Sequence, residues 1–308
     1  MDRHRIAIVG FGKIARDRHL PSIRADPHFE LVAIVSRTAI VGAAAPVFTE
    51  LEQLFSNGPV VDAVVICTPP GPRYDLARKC IDAGVSLFLE KPPTVTLGEA
   101  QHLVRLAEER KIVLFTSWHA RCHASVTNAA AIVAEEGLRS LQIRWLEDVE
   151  KWHPGQSWVR QAGGFGVFDA GINGLSIATM LSPQPLLVRS ASLYYPRGWQ
   201  APIAAVIQFD DLSNGQFDWR HKDEECWTIQ VQTCAGTELL LDNGGSKLSV
   251  NMKEQNSDEG QEYSSLYSRF HHLLIARRSE VELEPLRIVS DVFLTGKRVF
   301  VGSIDMSN

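Results

Sequence analysis

Short apolar runs alternate with amphipathic stretches over the first 120 residues of the chain. A strand pattern occurs five times, at 5–9, 31–36, 63–67, 86–89 and 112–116. Helical spacing of apolar residues follows the first four of these runs, at 14–23, 51–55, 74–83 and 97–109. Strands and helices that alternate in this order predict a parallel, doubly wound α/β sheet of the Rossmann type, joined by right-handed crossovers.

The pattern changes after residue 120. Helices are predicted at 125–135 and 167–180, and between them lie an alternating strand at 141–147 and a loop rich in tryptophan, glycine and proline. Closely spaced alternating strands follow, at 187–194, 201–209, 215–220, 227–233 and 238–241, and then two helical stretches, at 263–277 and 285–293. These elements predict an α+β domain with a mostly antiparallel open sheet. The predicted domains are therefore 1–120 and 121–308.

The first strand runs into a glycine turn, with Gly10, Gly12 and Ala15 in the spacing G-x-G-x-x-A. Gly10 allows a tight bend, and Gly12 lets a pyrophosphate approach the backbone. The N-terminus of the next helix offers N–H groups and partial positive charge to phosphates. We therefore predict a dinucleotide on this turn. The alternative is an ordinary strand–turn–helix, in which the glycines only allow the backbone to bend and bind no dinucleotide.

The end of the second predicted strand indicates which dinucleotide binds. An NAD-binding domain usually has a carboxylate there, but this chain has Ser36 and Arg37, and Glu30 precedes the strand. Ser36 can donate a hydrogen bond to a 2′-phosphate, and Arg37 can bind it through paired charged hydrogen bonds. The prediction is NADP as the preferred cofactor, with NAD accepted. The alternative is that Arg37 is a solvated charge or stacks on adenine.

Composition narrows the class of protein. The 308 residues fit about two domains, and a net charge of -5 without a basic block argues against nucleic acid as a partner. Five widely spaced cysteines without a C-x-x-C pair are expected to be reduced thiols. No metal site is predicted, because no cluster has ligand spacing. The chain shows no membrane-spanning run and no leader pattern, so we expect a cytoplasmic protein.

Lys91 follows the fourth predicted strand, within the sequence Glu-Lys-Pro-Pro at 90–93. Ligands of doubly wound sheets bind beyond the carboxyl ends of the strands, so topology predicts Lys91 beside the nicotinamide. Its ammonium group can donate a hydrogen bond to a substrate hydroxyl and lower the pKa of that hydroxyl. The alternative is an ordinary surface lysine.

Three motifs together resemble the glucose–fructose oxidoreductase / inositol dehydrogenase (Gfo/Idh/MocA) family. They are the glycine turn at 10–15, Cys-Thr-Pro-Pro at 67–70 and Glu-Lys-Pro at 90–92. The resemblance covers essentially the whole chain. It implies that the second domain binds the substrate against the first and that its sheet serves oligomerisation, so we expect a homo-oligomer, specifically a dimer. The predicted cofactor-binding residues are Gly10, Gly12, Lys13, Ile14, Ser36, Arg37, Thr68, Pro69, Glu90 and Lys91.

Motifs in the second half resemble the sugar 1-dehydrogenase branch of that family, which acts on D-galactose and L-arabinose. They lie at 118–121, 145–148, 151–156, 163–173 and 217–221. The family usually has Asp and His four residues apart on one helix. Here Asp169 is followed by Asn173, so a histidine base is not expected at this position.

Asp169 and Asn173 share one helix face because they stand four residues apart. Asp169 can accept the proton of a C1 hydroxyl, while Lys91 holds the same oxygen and stabilises its negative charge. Asn173 can orient that oxygen by a hydrogen bond. These are the three predicted catalytic residues. The alternative for Asp169 is a carboxylate that complements the helix dipole.

The loop at 145–158 combines indole rings with carboxylates and an imidazole. Sugars favour this mixture, because their apolar ring faces stack on indole and their hydroxyls bind polar groups. The predicted sugar contacts are His119, Glu147, Trp152, His153, Asp169 and Asn173. The alternative for His119 and His153 is a structural histidine with its hydrogen bonds satisfied.

The predicted activity is oxidation of the anomeric carbon of D-galactose, L-arabinose or both to the lactone, with hydride transfer to NADP or NAD. Two alternatives stay open at this point. One is a non-catalytic dinucleotide-binding sugar sensor on the same fold, and the other is a related dehydrogenase of another polyol. The presence of both Lys91 and Asp169 favours an enzyme over a sensor.

Overall fold

The computed structural model describes residues 3–210, 212–255 and 260–302. The chain divides into two compact units. The first comprises Met1–Trp118 and Tyr263–Glu282, and the second comprises His119–Glu262 and Leu283–Asn308. The sequence predicts that everything after residue 120 belongs to one domain, whereas residues 263–282 are part of the first unit.

Up to Trp118, strands and helices alternate as predicted. The strands are β1 (His4–Val9), β2 (Phe29–Val35), β3 (Val47–Phe48), β4 (Ala63–Ile66), β5 (Ser86–Leu89) and β6 (Leu114–Thr116). A π-helical turn, Ala15–His19, leads into α1 (Leu20–Ala25), and the later helices are α2 (Leu51–Asn57), α3 (Arg73–Asp82) and α4 (Leu97–Arg110).

The remaining described residues form five helices and nine strands. The helices are α5 (Ala124–Glu136), α6 (Val149–Trp152), α7 (Phe168–Leu181), α8 (Glu262–Ala276) and α9 (Glu284–Thr295). The strands are β7 (Leu138–Leu146), β8 (Ser190–Pro196), β9 (Ala204–Gln208), β10 (Asn214–Asp218), β11 (Cys226–Thr233), β12 (Glu238–Asp242), β13 (Lys247–Val250), β14 (Lys253–Glu254) and β15 (Lys297–Val301). Short 3-10 helices occur at His119–Cys122, Ser157–Arg160 and Asn243–Gly245.

The first unit contains a six-stranded parallel sheet in the order β3-β2-β1-β4-β5-β6. This order confirms the predicted doubly wound Rossmann-type fold. Only the edge strand β3 is absent from the predicted set, because two residues are too few to show an alternating pattern. The strand order reverses direction between β1 and β4, and the carboxyl ends of these strands are where such sheets bind ligands.

Aromatic packing explains why α8 belongs to the first unit. Tyr267 and Phe270 are fully buried, three residues apart on one face of the helix. The rings of Tyr267 and Phe270 each lie 5.3 Å from the ring of Phe88, and Phe270 also stacks on Phe115 at 5.8 Å. Because these partners lie 155 to 182 positions away in the sequence, no local pattern could assign the helix to this unit.

The second unit contains a nine-stranded sheet in the order β14-β13-β12-β11-β7-β10-β9-β8-β15. Two of its pairs, β7 with β10 and β8 with β15, are parallel, and the other pairs are antiparallel. The predicted α+β domain with a mostly antiparallel sheet is therefore confirmed. The sequence patterns did not predict β13, β14 or β15.

Helix α7 packs closely on this sheet through two glycines. A Cβ atom placed on Gly171 would lie 2.5 Å from Cδ1 of Phe217, and one on Gly174 would lie 2.7 Å from Cε3 of Trp145. Phe217 is fully buried, and Trp145 is 5% exposed. These glycines let the helix backbone approach the aromatic side chains of β7 and β10, which fixes the position of Asp169 in its first turn.

Replacing Gly171 with alanine is expected to lower the free energy of unfolding by about 1–3 kcal/mol, because the new methyl group overlaps a ring that cannot move aside. Urea unfolding of the native protein and the variant measures this change. Gly98→Ala is the matched control, since a Cβ at that helical position meets no atom within 4 Å. Equal stability of the two variants would contradict the packing described here.

Candidate active site

The glycine turn after β1 needs glycine at its first position. Gly10 has a φ of +85°, and a Cβ atom there would lie 2.8 Å from the backbone nitrogen of Thr68. The Gly10 nitrogen donates to the carbonyl oxygen of Val35 at 2.9 Å. The turn is thus held between the ends of β2 and β4, at the carboxyl edge of the sheet.

The second glycine provides room for a ligand. A Cβ atom on Gly12 would have no protein atom within 4 Å, so the backbone is open to close approach at this point. Ala15 is fully buried, as its predicted packing against the sheet requires. Lys13 is exposed and its ammonium lies 2.5 Å from Asp17, so the lysine pairs with its own helix. The turn therefore fits a dinucleotide pyrophosphate at Gly12.

Hydroxyl groups at the same edge of the sheet have no hydrogen-bond partner among the described residues. Thr68 Oγ1, after β4, and Thr116 Oγ1 and Ser117 Oγ, at the end of β6, are buried atoms of this kind. Buried hydroxyls without partners are rare in folded proteins and point to groups that a ligand supplies. Pro69, predicted together with Thr68, is exposed.

Ser36 and Arg37 follow β2 directly. The Ser36 hydroxyl donates to the carbonyl oxygen of Thr38 at 2.9 Å, which forms a tight turn, and the Arg37 side chain is exposed. Glu30 lies at the opposite end of β2 and is also exposed. The end of β2 beside the glycine turn therefore carries a hydroxyl and a cation but no carboxylate.

The Glu-Lys-Pro motif follows β5, and its Lys91–Pro92 peptide bond is cis. Glu90 is only 3% exposed, and its Oε2 accepts a hydrogen bond from the Lys91 backbone nitrogen at 2.9 Å. The buried Arg73 guanidinium donates to the carbonyl oxygens of Thr68, Glu90 and Pro92. Arg73 thus joins the loops that follow β4 and β5.

Sequence reasoning missed Arg73. It lies in the first turn of α3, and an arginine next to a helix start usually faces solvent. No local pattern distinguishes an arginine that binds three carbonyl groups from a surface one. Its place three residues after the Thr-Pro-Pro run at 68–70 was the available signal.

The second unit brings together three residues of the predicted sugar site. His153 Nε2 lies 3.8 Å from Asp169 Oδ2 and 3.9 Å from Glu147 Oε1. The two carboxylates are buried, and the His153 side chain is 11% exposed. Asp169 lies in the first turn of α7, and its backbone nitrogen donates to the carbonyl oxygen of Gly166 at 2.8 Å. The imidazole therefore lies beside two carboxylates from different elements.

Indole rings hold Glu147 in place. Oε1 accepts a hydrogen bond from Trp219 Nε1 at 3.0 Å, and Oε2 accepts one from Trp227 Nε1 at 2.8 Å. The His153 ring lies 4.8 Å from that of Trp219, and Trp152 lies 5.2 Å from Trp227. Glu147 is thus bound to indole donors that the sequence did not assign to it, and its contact with a sugar stays a prediction.

Three other predicted residues occupy different settings. Asn173 is half-buried on α7, one turn after Asp169, and its Oδ1 is buried with no partner among the described residues. Trp152 is 39% exposed, and its role as a stacking surface stays a prediction. His119 begins the 3-10 helix His119–Cys122, which Arg121 joins to α7 by donating to the carbonyl oxygen of Ser176 at 2.7 Å.

Two features are absent from the part of the chain that the structure describes. No group of three or more His, Cys, Asp or Glu side chains there is placed to hold a metal ion. No helix there is long and apolar enough to cross a membrane.

The parallel sheet has an open glycine turn after β1 and Lys91 after β5. This combination is typical of a dinucleotide-dependent oxidoreductase with a Rossmann fold. The chain belongs to the Gfo/Idh/MocA family, whose domain, described as "Oxidoreductase family, NAD-binding Rossmann fold", matches residues 4–117. Galactose 1-dehydrogenase from Pseudomonas fluorescens is 42% identical over 310 residues, covering 96% of this chain and 97% of that protein. The resemblance noted in the sequence is confirmed.

Solved structures extend the comparison. The crystal structure of a D-galactose-1-dehydrogenase protein from Rhizobium etli has a TM-score of 0.92 and 44% identity, and the match covers 99% of this chain and 98% of that one. A mutant of KijD10, a 3-ketoreductase from Actinomadura kijaniata, solved in complex with TDP-benzene and NADP, has a TM-score of 0.83 at 18% identity, and the match covers 97% of this chain and 100% of that one. At that identity the second match shows the shared fold alone.

Proposed function

We propose that this protein is an aldose 1-dehydrogenase that oxidises the anomeric carbon of D-galactose, and of L-arabinose, to the lactone. The observation that carries the proposal is the similarity to two galactose 1-dehydrogenases over nearly the full length of each chain. The chemistry of the second unit supports it, because buried carboxylates, an imidazole and a half-exposed indole suit a sugar.

The reaction defines what the side chains must do. When a hydride leaves C1, the C1 hydroxyl must release its proton so that a carbonyl group can form. We propose that Asp169 accepts this proton, that Lys91 donates a hydrogen bond to the same oxygen, and that Asn173 orients it. The bound nicotinamide supplies the hydride acceptor. The Asn173 Nδ2 would donate to the C1 oxygen, and its Oδ1, which is buried with no partner among the described residues, can accept a bond from another sugar hydroxyl.

Recognition of the other sugar hydroxyls is assigned to His119, Glu147 and His153, with Trp152 as the stacking surface. D-galactose and L-arabinose have the same configuration at C2 to C4 and differ by one hydroxymethyl group. A group of that size changes binding by about 1–3 kcal/mol. We therefore expect turnover of both sugars, with kcat/KM values that differ by no more than about 200-fold.

Steady-state kinetics with both sugars and both cofactors test this function. Formation of a lactone, identified by product analysis, separates an aldose 1-dehydrogenase from a polyol dehydrogenase that forms a ketone. Binding of dinucleotide and sugar without any reduction of the cofactor would instead identify a sensor. Failure to reduce either cofactor with any aldose would refute the proposal.

NADP is the proposed preferred cofactor. The support is local, since β2 ends in a hydroxyl and an exposed guanidinium beside the glycine turn and Glu30 lies at the other end of the strand. A carboxylate at the strand end would repel a 2′-phosphate, whereas the exposed Arg37 guanidinium can bind one. The Ser36 hydroxyl can donate to the phosphate when it gives up its bond to the Thr38 carbonyl oxygen.

Replacing Arg37 with alanine is expected to lower kcat/KM for NADP by about 10- to 100-fold, because a charged hydrogen bond to the phosphate contributes about 1.5–3 kcal/mol. The value for NAD should change little. Initial-rate kinetics with both cofactors measure the change, and Arg24→Ala, an exposed arginine on α1, is the control. An equal loss with both cofactors would show instead that Arg37 stacks on the adenine that they share.

Two further proposals concern the state of the protein. We propose a homodimer that assembles through the open sheet, as the family resemblance implies, and a cytoplasmic location. Sedimentation and fractionation experiments test them separately.

A further inference from the structure

The Glu90 carboxylate is a buried charge next to the lysine of the Glu-Lys-Pro motif. Its Oε1 accepts a hydrogen bond from the Tyr263 hydroxyl at 2.9 Å and lies 2.9 Å from His19 Nε2. Its Oε2 accepts the bond from the Lys91 backbone nitrogen. A buried carboxylate is stable only when donors surround it, so these groups determine where Glu90 lies.

His19 connects Glu90 to a second tyrosine. Its Nδ1 lies 2.8 Å from the Tyr267 hydroxyl, and the His19 side chain is fully buried. Burial raises the pKa of Tyr267 well above its ordinary value, so the phenol stays protonated. Because a carboxylate only accepts, His19 Nε2 carries the proton that faces Glu90, and Nδ1 of the neutral imidazole then accepts a bond from the Tyr267 hydroxyl. One arrangement of protons thus runs from Tyr267 through His19 to Glu90.

The tyrosine from α8 completes this arrangement. Burial raises the pKa of Tyr263 well above its ordinary value, and the neighbouring Glu90 charge acts in the same direction. The phenol of Tyr263 therefore stays protonated and donates to Glu90 Oε1. Neither tyrosine is near Glu90 in the sequence, since both return on the helix Glu262–Ala276.

His19 also belongs to the helix of the glycine turn. It ends the π-helical turn Ala15–His19, which begins three residues after Gly12. A π-turn inserts one extra residue per turn and changes the direction of the side chains that follow, and such turns are common at functional sites. The helix that would receive the phosphates is therefore joined to Glu90 by a direct side-chain contact.

We propose that His19, Tyr263 and Tyr267 are positioning residues that hold the Glu90 carboxylate and, through its bond to the Lys91 backbone, fix the lysine for the reaction. The proposal rests on the proposed function for the role of Lys91. The sequence predicts a contact between Glu90 and the cofactor, and that contact stays a prediction. The positioning role proposed here rests on the burial of the carboxylate and on its bond to the Lys91 backbone nitrogen.

Two substitutions of His19 separate positioning from simple filling of the core. In His19→Gln the amide nitrogen can occupy the place of Nε2 and still donate to Glu90. In His19→Asn the amide lies near the place of Nδ1 and reaches only Tyr267. Both variants lose the ring and have similar polarity, so a merely structural role predicts similar effects.

We expect kcat to fall by about 10- to 100-fold in His19→Asn, the range for a small misplacement of a reacting group. In His19→Gln it should stay within about threefold of native, and KM for the cofactor should change little in both. Tyr263→Phe should behave like His19→Asn. Tyr74→Phe is the matched control, because it removes a 2.6 Å bond between a tyrosine and His102 in the same unit. Equal kcat values for His19→Asn and His19→Gln would overturn the proposal.

A second measurement does not depend on sugar turnover. Lysine amines are labelled with 13C by reductive methylation, and the Lys91 signal is assigned by its loss in Lys91→Gln. We expect the chemical shift of this signal at one fixed pH to change in His19→Asn and Tyr263→Phe, and to match the native protein in His19→Gln and Tyr74→Phe. Identical chemical shifts in all variants would refute the positioning role. If the native protein oxidises no aldose, the proposed function fails and the NMR comparison still tests the network.

Discussion

Lys91→Met is expected to lower kcat for aldose oxidation by about 10³-fold or more, because the variant loses both a proton-bearing donor and the charge that stabilises the substrate oxygen. Methionine keeps the length of the side chain and leaves the Lys91 backbone nitrogen free to donate to Glu90. The Kd for NADP, measured by fluorescence titration, should stay within about threefold of native, because phosphate binding lies at the glycine turn.

Lys79→Met is the control for this prediction. Lys79 is an exposed lysine of α3 whose ammonium lies 2.5 Å from Glu52, and surface pairs of this kind contribute about 0–1 kcal/mol to stability. Its loss should leave kcat unchanged. Turnover by Lys91→Met within about tenfold of native would remove Lys91 from the proposed mechanism, since one general acid or donor contributes at least that much.

The cofactor turn could be predicted from the sequence because its requirements are local. Gly10 needs a positive φ, Gly12 needs an open backbone and Ala15 needs a small side chain, and all three stand in one run of residues. The contact between Gly10 and Thr68 adds a long-range reason that the sequence does not show. The identity of the residues was predictable, but the neighbour that restricts Gly10 was not.

The surroundings of Lys91 could not be predicted in the same way. The position of Lys91 is predicted because the residue follows a strand. The groups around Glu90 come instead from two distant helices, and they are His19, Tyr263 and Tyr267. Local periodicity shows only that these residues lie on helices. The environment of a buried charge depends on tertiary contacts. Tyr263 and Tyr267 lie on α8, which the sequence analysis assigned to the second domain.

The sugar site shows the same limit. The aromatic and acidic composition of residues 145–158 predicts sugar contacts at Glu147, Trp152 and His153, and these contacts stay a prediction. Composition could not show that Glu147 binds Trp219 and Trp227, because these residues lie on later strands. It also could not show that His153 lies beside Asp169. Relatives of the family usually have a histidine four residues after this aspartate, where this chain has Asn173. The imidazole beside the Asp169 carboxylate therefore comes from the loop and not from α7.

Asp169→Asn is expected to lower kcat by about 10²–10⁴-fold, because the amide cannot accept the proton of the C1 hydroxyl. The side chain keeps its shape, so neither stability nor KM for the cofactor should change greatly. Glu150→Gln is the control, since this exposed carboxylate of the same region pairs with the Arg160 guanidinium at 3.2 Å. Initial rates over a range of pH provide the decisive measurement.

The pH profile separates a proton acceptor from a carboxylate that only complements the helix dipole. If Asp169 accepts the proton, kcat of Asp169→Asn should rise with pH, because hydroxide replaces the missing base. His153→Gln should lower kcat less, since it removes a neighbour of the carboxylate at 3.8 Å and leaves the acceptor in place. A dipole role predicts a loss of about 0.3–1 kcal/mol in stability with kcat nearly native. Native turnover by Asp169→Asn would therefore place the proton acceptor elsewhere, and a larger loss in His153→Gln than in Asp169→Asn would assign that role to the imidazole.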